Sequence, residues 1–163
     1  MEEKENLLND IHTQFVNTEV CNSFIKEAFL PYLLKIDYRK VDLQDFFIIN
    51  NDGCSFEIKS LKKDNLNLFF DFWKSQVNIY LGDKQVHSAD DAEVRNDKEQ
   101  MKFQEELYAI FNSSIIEEVS QKNYGLLFKH RNGTIVKRIN SKKNSALLLE
   151  YKEPSKKIYE PRL

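Results

Sequence analysis

Three residues in the first half of the chain have the types and spacing of a metal-dependent hydrolytic site. Asp45 is followed, after eleven intervening residues, by Glu57-Ile58-Lys59. Side chains alternate along a strand with period two, so Glu57 and Lys59 share a face there. Carboxylates brought together can hold Mg²⁺ through hard oxygen ligands, and an adjacent ammonium can orient an attacking water or stabilise developing charge. Asp45 and Glu57 are therefore the candidate magnesium ligands, and Asp45, Glu57 and Lys59 the candidate catalytic set. A second group is purely acidic: Asp90, Asp91, Glu93, Asp97 and Glu99. It contains no nucleophile, and its chemistry is that of a charged surface that recruits a basic partner. His12, His87 and His130 have no companion at triad or metal-ligand spacing. Cys21 and Cys54 stand 33 positions apart without zinc-site neighbours, and are expected to be buried, inert thiols rather than a disulfide.

The elements that must position these residues follow from periodicity. Leu7, Leu8, Ile11 and Phe15 predict an amphipathic helix over 3–16. Thr18 can cap a second helix carrying Val20, Phe24, Ala28 and Phe29, ended or kinked by Pro31. From Phe46 the period changes to that of strands, with Asn51-Asp52-Gly53 as a hairpin turn whose glycine would supply a positive φ. Alternation through residues 66–72 and 77–81 extends this to a meander. Phe69, Trp73, Val77 and Tyr80 also fit a helical stripe, but the aromatic and β-branched content favours strands. Residues 87–99 read as an acidic surface loop. A helix over 97–112 is marked by Asn96 and Glu99 as a capping pair and by Phe103, Leu107, Ile110 and Phe111. Strands over 125–129, 134–139 and 146–151 follow, the first two joined by an Asn132-Gly133 turn, and a flexible tail over 154–163. The order of elements predicts one α+β domain spanning 1–163: N-terminal helices, an antiparallel β-meander, a central helix and C-terminal strands, all on a single sheet.

Composition is consistent with that outline. The 163 residues (19.3 kDa) are 41% hydrophobic and 31% charged, with 4 Gly and 3 Pro, enough apolar material for a core. No apolar run approaches the length of a membrane span, and the acidic start does not read as a secretory signal, so a cytoplasmic protein is expected. The net charge of −2 conceals a division: residues 82–118 carry −6 and residues 119–163 carry +8. Such a pattern means either separate partner surfaces or two segments that lie side by side and neutralise each other.

Two resemblances attach to these features. The Asp45, Glu57 and Lys59 spacing resembles the core of PD-(D/E)xK nucleases, with Gln44 where that family commonly has proline. Gln76 and Tyr80 fit the Gln-x3-Tyr motif that one branch carries on the following helix. This resemblance implies a magnesium-dependent nuclease acting on DNA or RNA, with Asp45, Glu57, Lys59 and Gln76 at the site. Glu19 or Glu27 would be a helix-borne ligand, and the basic C-terminal segment a phosphate contact. The stretch Leu68 to Gly82 (LFFDFWKSQVNIYLG), then His87, a helix and an Asn-Gly hairpin, is similar to small immunity proteins of bacterial polymorphic toxin systems. That resemblance covers 66–139. It implies a protein without cofactor that neutralises a cognate toxin by direct contact, with Asp90, Asp91, Glu93, Asp97 and Glu99 as the candidate partner-binding residues. The immunity-type reading is the expectation adopted, and the nuclease its alternative. Whether residues 66–81 are two strands or one helix separates them.

Overall fold

The computed structural model describes residues 1–62, 67–82, 88–119, 123–129, 135–142 and 155–159. Leu8, Ile11 and Phe15 bury one stripe of α1 (Glu2–Asn17), while Leu7 faces solvent. The second helix, α2 (Ser23–Lys35), starts later than Thr18 suggests. Thr18 closes α1, and the N-cap of α2 is Asn22, whose side chain accepts the Phe24 N–H at 2.7 Å. Pro31 lies inside α2. It removes the hydrogen bond to the Glu27 carbonyl. The helix continues for another turn because Phe29 and Leu33, on either side, are fully buried.

After a 3-10 turn at Tyr38–Lys40 come β1 (Val41–Asp42), β2 (Phe47–Ile49), β3 (Cys54–Ser60), β4 (Leu68–Trp73), β5 (Gln76–Leu81) and β6 (Ser88–Glu93). They form a six-stranded sheet in the order β1-β3-β4-β5-β6, with β2 also pairing to β3. Its described pairings are antiparallel. Residues 68–81 are thus two strands, not a helix. β1 and β2 share one edge of β3 as a broken strand, and Phe46 turns into the core at the break. Along β3, β4 and β5 alternate residues are buried, so one face lies on the core and the other is open.

The turns have different causes from those the sequence suggests. Gly53 does not have a positive φ. Its requirement is steric: a Cβ there would lie 2.5 Å from the Phe72 carbonyl oxygen and 2.6 Å from Trp73 Cδ1. The positive φ falls instead on Lys74 (53°), in the two-residue turn between Trp73 and Gln76. A non-glycine residue is held in this region only when its surroundings impose it. Here the Lys74 N–H donates to Val20 O at 2.8 Å, Lys74 O accepts from Asn22 N–H at 2.6 Å, and Ser75 O accepts from Val94 N–H at 2.9 Å.

Residues 88–93 form the edge strand β6 rather than a loop. Val77 pairs with Ala92 and Ile79 with Ala89, so Asp90 and Asp91 together oppose Asn78 in a β-bulge. α3 (Asp97–Asn112) lies at the expected position. Asn96 accepts the Glu99 N–H at 3.0 Å, and the Glu99 carboxylate accepts the Arg95 N–H at 2.9 Å.

The C-terminal strands do not join this sheet, a correction to the single-sheet expectation. β7 (Ser114–Val119), β8 (Asn123–Lys129), β9 (Ile135–Lys142) and β10 (Ser155–Tyr159) make a second sheet in the order β10-β7-β8-β9. The first sheet offers no regular edge to extend, because one side is broken between β1 and β2 and the other is bulged and acidic. Part of the expected tail is therefore strand: Ser155–Tyr159 pairs along the whole of β7 except Ser114. Its register sets Lys156 opposite Glu118 and Lys157 opposite Glu117, so part of the basic segment lies beside part of the acidic one. The expected strand over 146–151 and the Asn132-Gly133 turn lie outside the described residues.

The core is built on phenylalanine. Phe29 of α2 has ring-centroid contacts with Phe56 (5.1 Å), Phe70 (4.8 Å) and Phe72 (5.0 Å) of the sheet, Phe15 of α1 (6.1 Å) and Phe111 of α3 (6.3 Å). Among the described residues no helix is long and apolar enough to cross a membrane. Phe29→Ala should cost about 3–5 kcal/mol, the range for a fully buried Phe truncated in a core, measured by urea unfolding. A loss under about 1 kcal/mol would show that the cluster does not depend on this ring.

Candidate functional site

The open face of the first sheet gathers the chemistry. β3 contributes Ser55, Glu57 and Lys59; β4 contributes Phe69, Asp71 and Trp73; β5 contributes Gln76, Asn78 and Tyr80. Register arranges them in rows. Ser55 pairs with Asp71 and Asp71 with Asn78, and the row ends at the Asp90–Asp91 bulge. In the next row Glu57 pairs with Phe69 and Phe69 with Tyr80. Glu57, Phe69, Asp71 and Tyr80 line a shallow polar recess of about 220 Å³ between the rows.

Charge is unevenly distributed within this face. Lys59 Nζ lies 2.6 Å from Glu57 Oε2, and this contact raises the Lys59 pKa, with Asp45 and Asp42 adding to it. Asp71 has no such ion pair among the described residues. Partial burial raises its pKa, and the negative charge of Glu57 adds to the shift. An acid held in this way reduces native stability at neutral pH and favours a cation arriving from outside. Trp73 closes one end of the face, 56% exposed, with its indole over Gly53.

The structure brings together only part of the nuclease-like set. Glu57 and Lys59 are paired and the Asp45 charge reaches Lys59, but Asp45 itself is exposed in the turn before β2, with a φ of 57°. Gln76 starts β5 opposite Trp73, four positions along β4 from the Phe69 that faces Glu57. At strand rise that offset is about 13 Å. The helix on which that family carries Gln-x3-Tyr is here a strand. Glu19 is exposed in the connector before α2, and Glu27 lines the cleft between α2 and α3, beyond the helices that cover the opposite face of the sheet. Among the described residues no group of three or more His, Cys, Asp or Glu could hold a metal ion.

Of the acidic candidates, Asp90, Asp91 and Glu93 lie on β6, with Glu93 opposite Gln76, and Asp97 and Glu99 lie in the first turn of α3. The Glu99 carboxylate is committed to the Arg95 N–H, a helix-starting role. His12 Nε2 lies 3.1 Å from the Tyr38 hydroxyl, which in turn donates to Leu33 O at 2.5 Å; this arrangement ties α1 to the end of α2. His87 and His130 lie outside the described residues.

Asp71 is the residue that the sequence reading missed. Its signal was present, a lone acid in an otherwise aromatic strand, but its meaning depends on the register that places it beside Glu57. A larger cleft of about 890 Å³ lies between α2 and α3, walled by Tyr32 and Tyr108 with lysines and glutamates on its rim. Its mixed charges single out no ligand, whereas register, charge and aromatic exposure converge on the sheet face.

Fold and site together define an α+β protein with an acidic, aromatic open face on an antiparallel sheet. Comparison of the chain with protein-family models, with curated proteins and with solved structures returned no match.

The Asp71 shift has a definite sign. Between the ordinary aspartate value of 3.8 and the raised native one, the folded state binds more protons than the unfolded state, so this contribution to stability is lost as pH rises. Asp71→Asn should therefore be more stable than wild type at pH 7, with the gain shrinking as pH falls toward 3.8, measured by urea unfolding at several pH values. A gain independent of pH would contradict this electrostatic account.

Proposed function

We propose that the protein is an immunity-type binding protein that neutralises a cognate bacterial toxin by direct contact, docking a basic protein surface on the open face of the first sheet. The observation that carries this reading is the row from Ser55 through Asp71 and Asn78 to the Asp90–Asp91 bulge. It runs across the sheet beside the partly buried Phe69 and Tyr80 and a largely exposed Trp73. Carboxylates beside exposed aromatic rings suit a surface rich in lysine or arginine, since aromatic anchors supply burial and the acids supply orientation and fast encounter. A bulge on an edge strand both re-aims residues and prevents sheet-to-sheet pairing, so the acidic edge can meet a partner without polymerising. An arriving guanidinium would also relieve the repulsion between Asp71 and Glu57. The partner proposed is a nuclease-type or other toxin whose own active site is basic, and no metal or cofactor is required of this chain.

The test is binding to the protein encoded by the neighbouring reading frame, by calorimetry and by stopped-flow at several salt concentrations. Trp73→Ala should weaken the complex by about 30-fold or more, as for an interfacial hot spot, and paired Glu57→Gln and Asp71→Asn should mainly slow association at low salt. Unchanged affinity in both variants would remove the face from the interface. Mg²⁺-dependent nicking of DNA by the wild type, lost in Glu57→Ala and Lys59→Ala, would replace the binding reading with the nuclease one.

A further inference from the structure

Cys21 and Cys54 are distant in sequence but adjacent in the core. Cys54 opens β3 opposite Phe72, while Cys21, in the connector between α1 and α2, bridges to Lys74, two residues beyond Phe72. The two backbone hydrogen bonds that flank Cys21, from Asn22 N–H to Lys74 O and from Lys74 N–H to Val20 O, fix the connector in that position. Both thiols are free and belong to one buried cluster, with 5% and 3% exposure. Each is the other's strongest electrostatic neighbour.

We propose that Cys21 and Cys54 form a reversible intramolecular disulfide that fastens the α1–α2 connector to β3, made by exchange with a small-molecule disulfide of the oxidised-glutathione class. Cys21 is the first nucleophile. It lies on a connector rather than within a strand ladder, and the neighbouring Cys54 and then the Lys26 ammonium favour its thiolate against the opposing effect of burial, whereas Cys21 and burial together hold Cys54 in the protonated form. The Cys21 thiolate attacks one sulfur of glutathione disulfide, and the S–S bond breaks to release one glutathione thiolate, which takes the Cys21 proton. Cys54 then attacks the Cys21 sulfur of the mixed disulfide, releasing the second glutathione thiolate, which takes the Cys54 proton. Two protein thiols are oxidised and one small disulfide is reduced to two thiols, so the exchange balances. Because both sulfurs are buried, the first attack requires a local opening of residues 18–22, and closure then delivers Cys54 to the mixed disulfide.

The bond would close a long loop between the helical hairpin and the sheet, beside the only tryptophan of the chain, Trp73. The experiment is incubation of the full, folded chain with oxidised glutathione, followed by intact-mass measurement and peptide mapping without reduction. The expected product has lost two hydrogens, contains a peptide joining Cys21 to Cys54, melts about 5–10 °C higher, and returns to the starting mass with dithiothreitol. Trp73 emission should change with the same time course. Cys54→Ser should stop at a single glutathione adduct on Cys21; if that variant does not fold, the wild-type mass and map decide alone. Wild-type protein that keeps both thiols reduced while folded, or that accumulates a stable glutathione adduct without joining the two cysteines, would overturn the proposal.

Discussion

Phe29 projects from α2 onto the inner face of the first sheet, and its ring meets phenylalanines from β3, β4, α1 and α3. The helices and the strands β3 and β4 that shape the candidate face from behind meet in this cluster. The Phe29 ring makes edge-on and tilted contacts with them, which are preferred over face-to-face stacking and fix the relative angle of helix and strand. With the inner face so densely filled, the remaining side chains of β3, β4 and β5 must face outward, and their register is fixed by the same alternation. A slip of one residue would bring Asp71 and Glu57 into the core.

The hairpin tip shows how this constraint reaches the site. Lys74 is held at a positive φ by backbone bonds to Val20 and Asn22, and the neighbouring Ser75 carbonyl by Val94. The helical connector on one side and the segment before α3 on the other thus grip the end of β4 and β5. Trp73, one residue before Lys74, rests on Gly53 because no side chain stands there. The most exposed aromatic ring of the face is therefore positioned by rigid backbone rather than by a free loop, which is what an interface anchor needs.

Much of the fold was legible in the sequence, and the reasons differ by element. The stripe of Phe103, Leu107 and Ile110 with its Asn96–Glu99 cap marked α3 to the residue, because cap and periodicity agree. The strands over 68–81 followed from alternation against a competing helical stripe, and the pairing of Trp73 with Gln76 settled them. β6 was hidden because its composition, Ser-Ala-Asp-Asp-Ala-Glu, has no strand propensity; it forms by pairing with β5 and tolerates the acids through a bulge. The second sheet was hidden because local pattern cannot say that an edge is blocked. Of the site, Glu57 and Lys59 were readable from period two alone, while Asp71 and the Cys21–Cys54 neighbourhood required strand register and a long-range bridge that no single-sequence spacing records.

The central proposal is that a basic partner docks along the row from Ser55 to the Asp90–Asp91 bulge. The most direct measurement is an NMR titration of labelled protein with the protein encoded by the neighbouring reading frame. The account predicts that the Trp73 indole and the Asn78 and Gln76 side-chain amide signals shift together and saturate at one equivalent, while those of Tyr32 and Asn112 in the α2–α3 cleft stay in place. Shifts confined to the cleft, with the sheet-face signals unmoved, would contradict it.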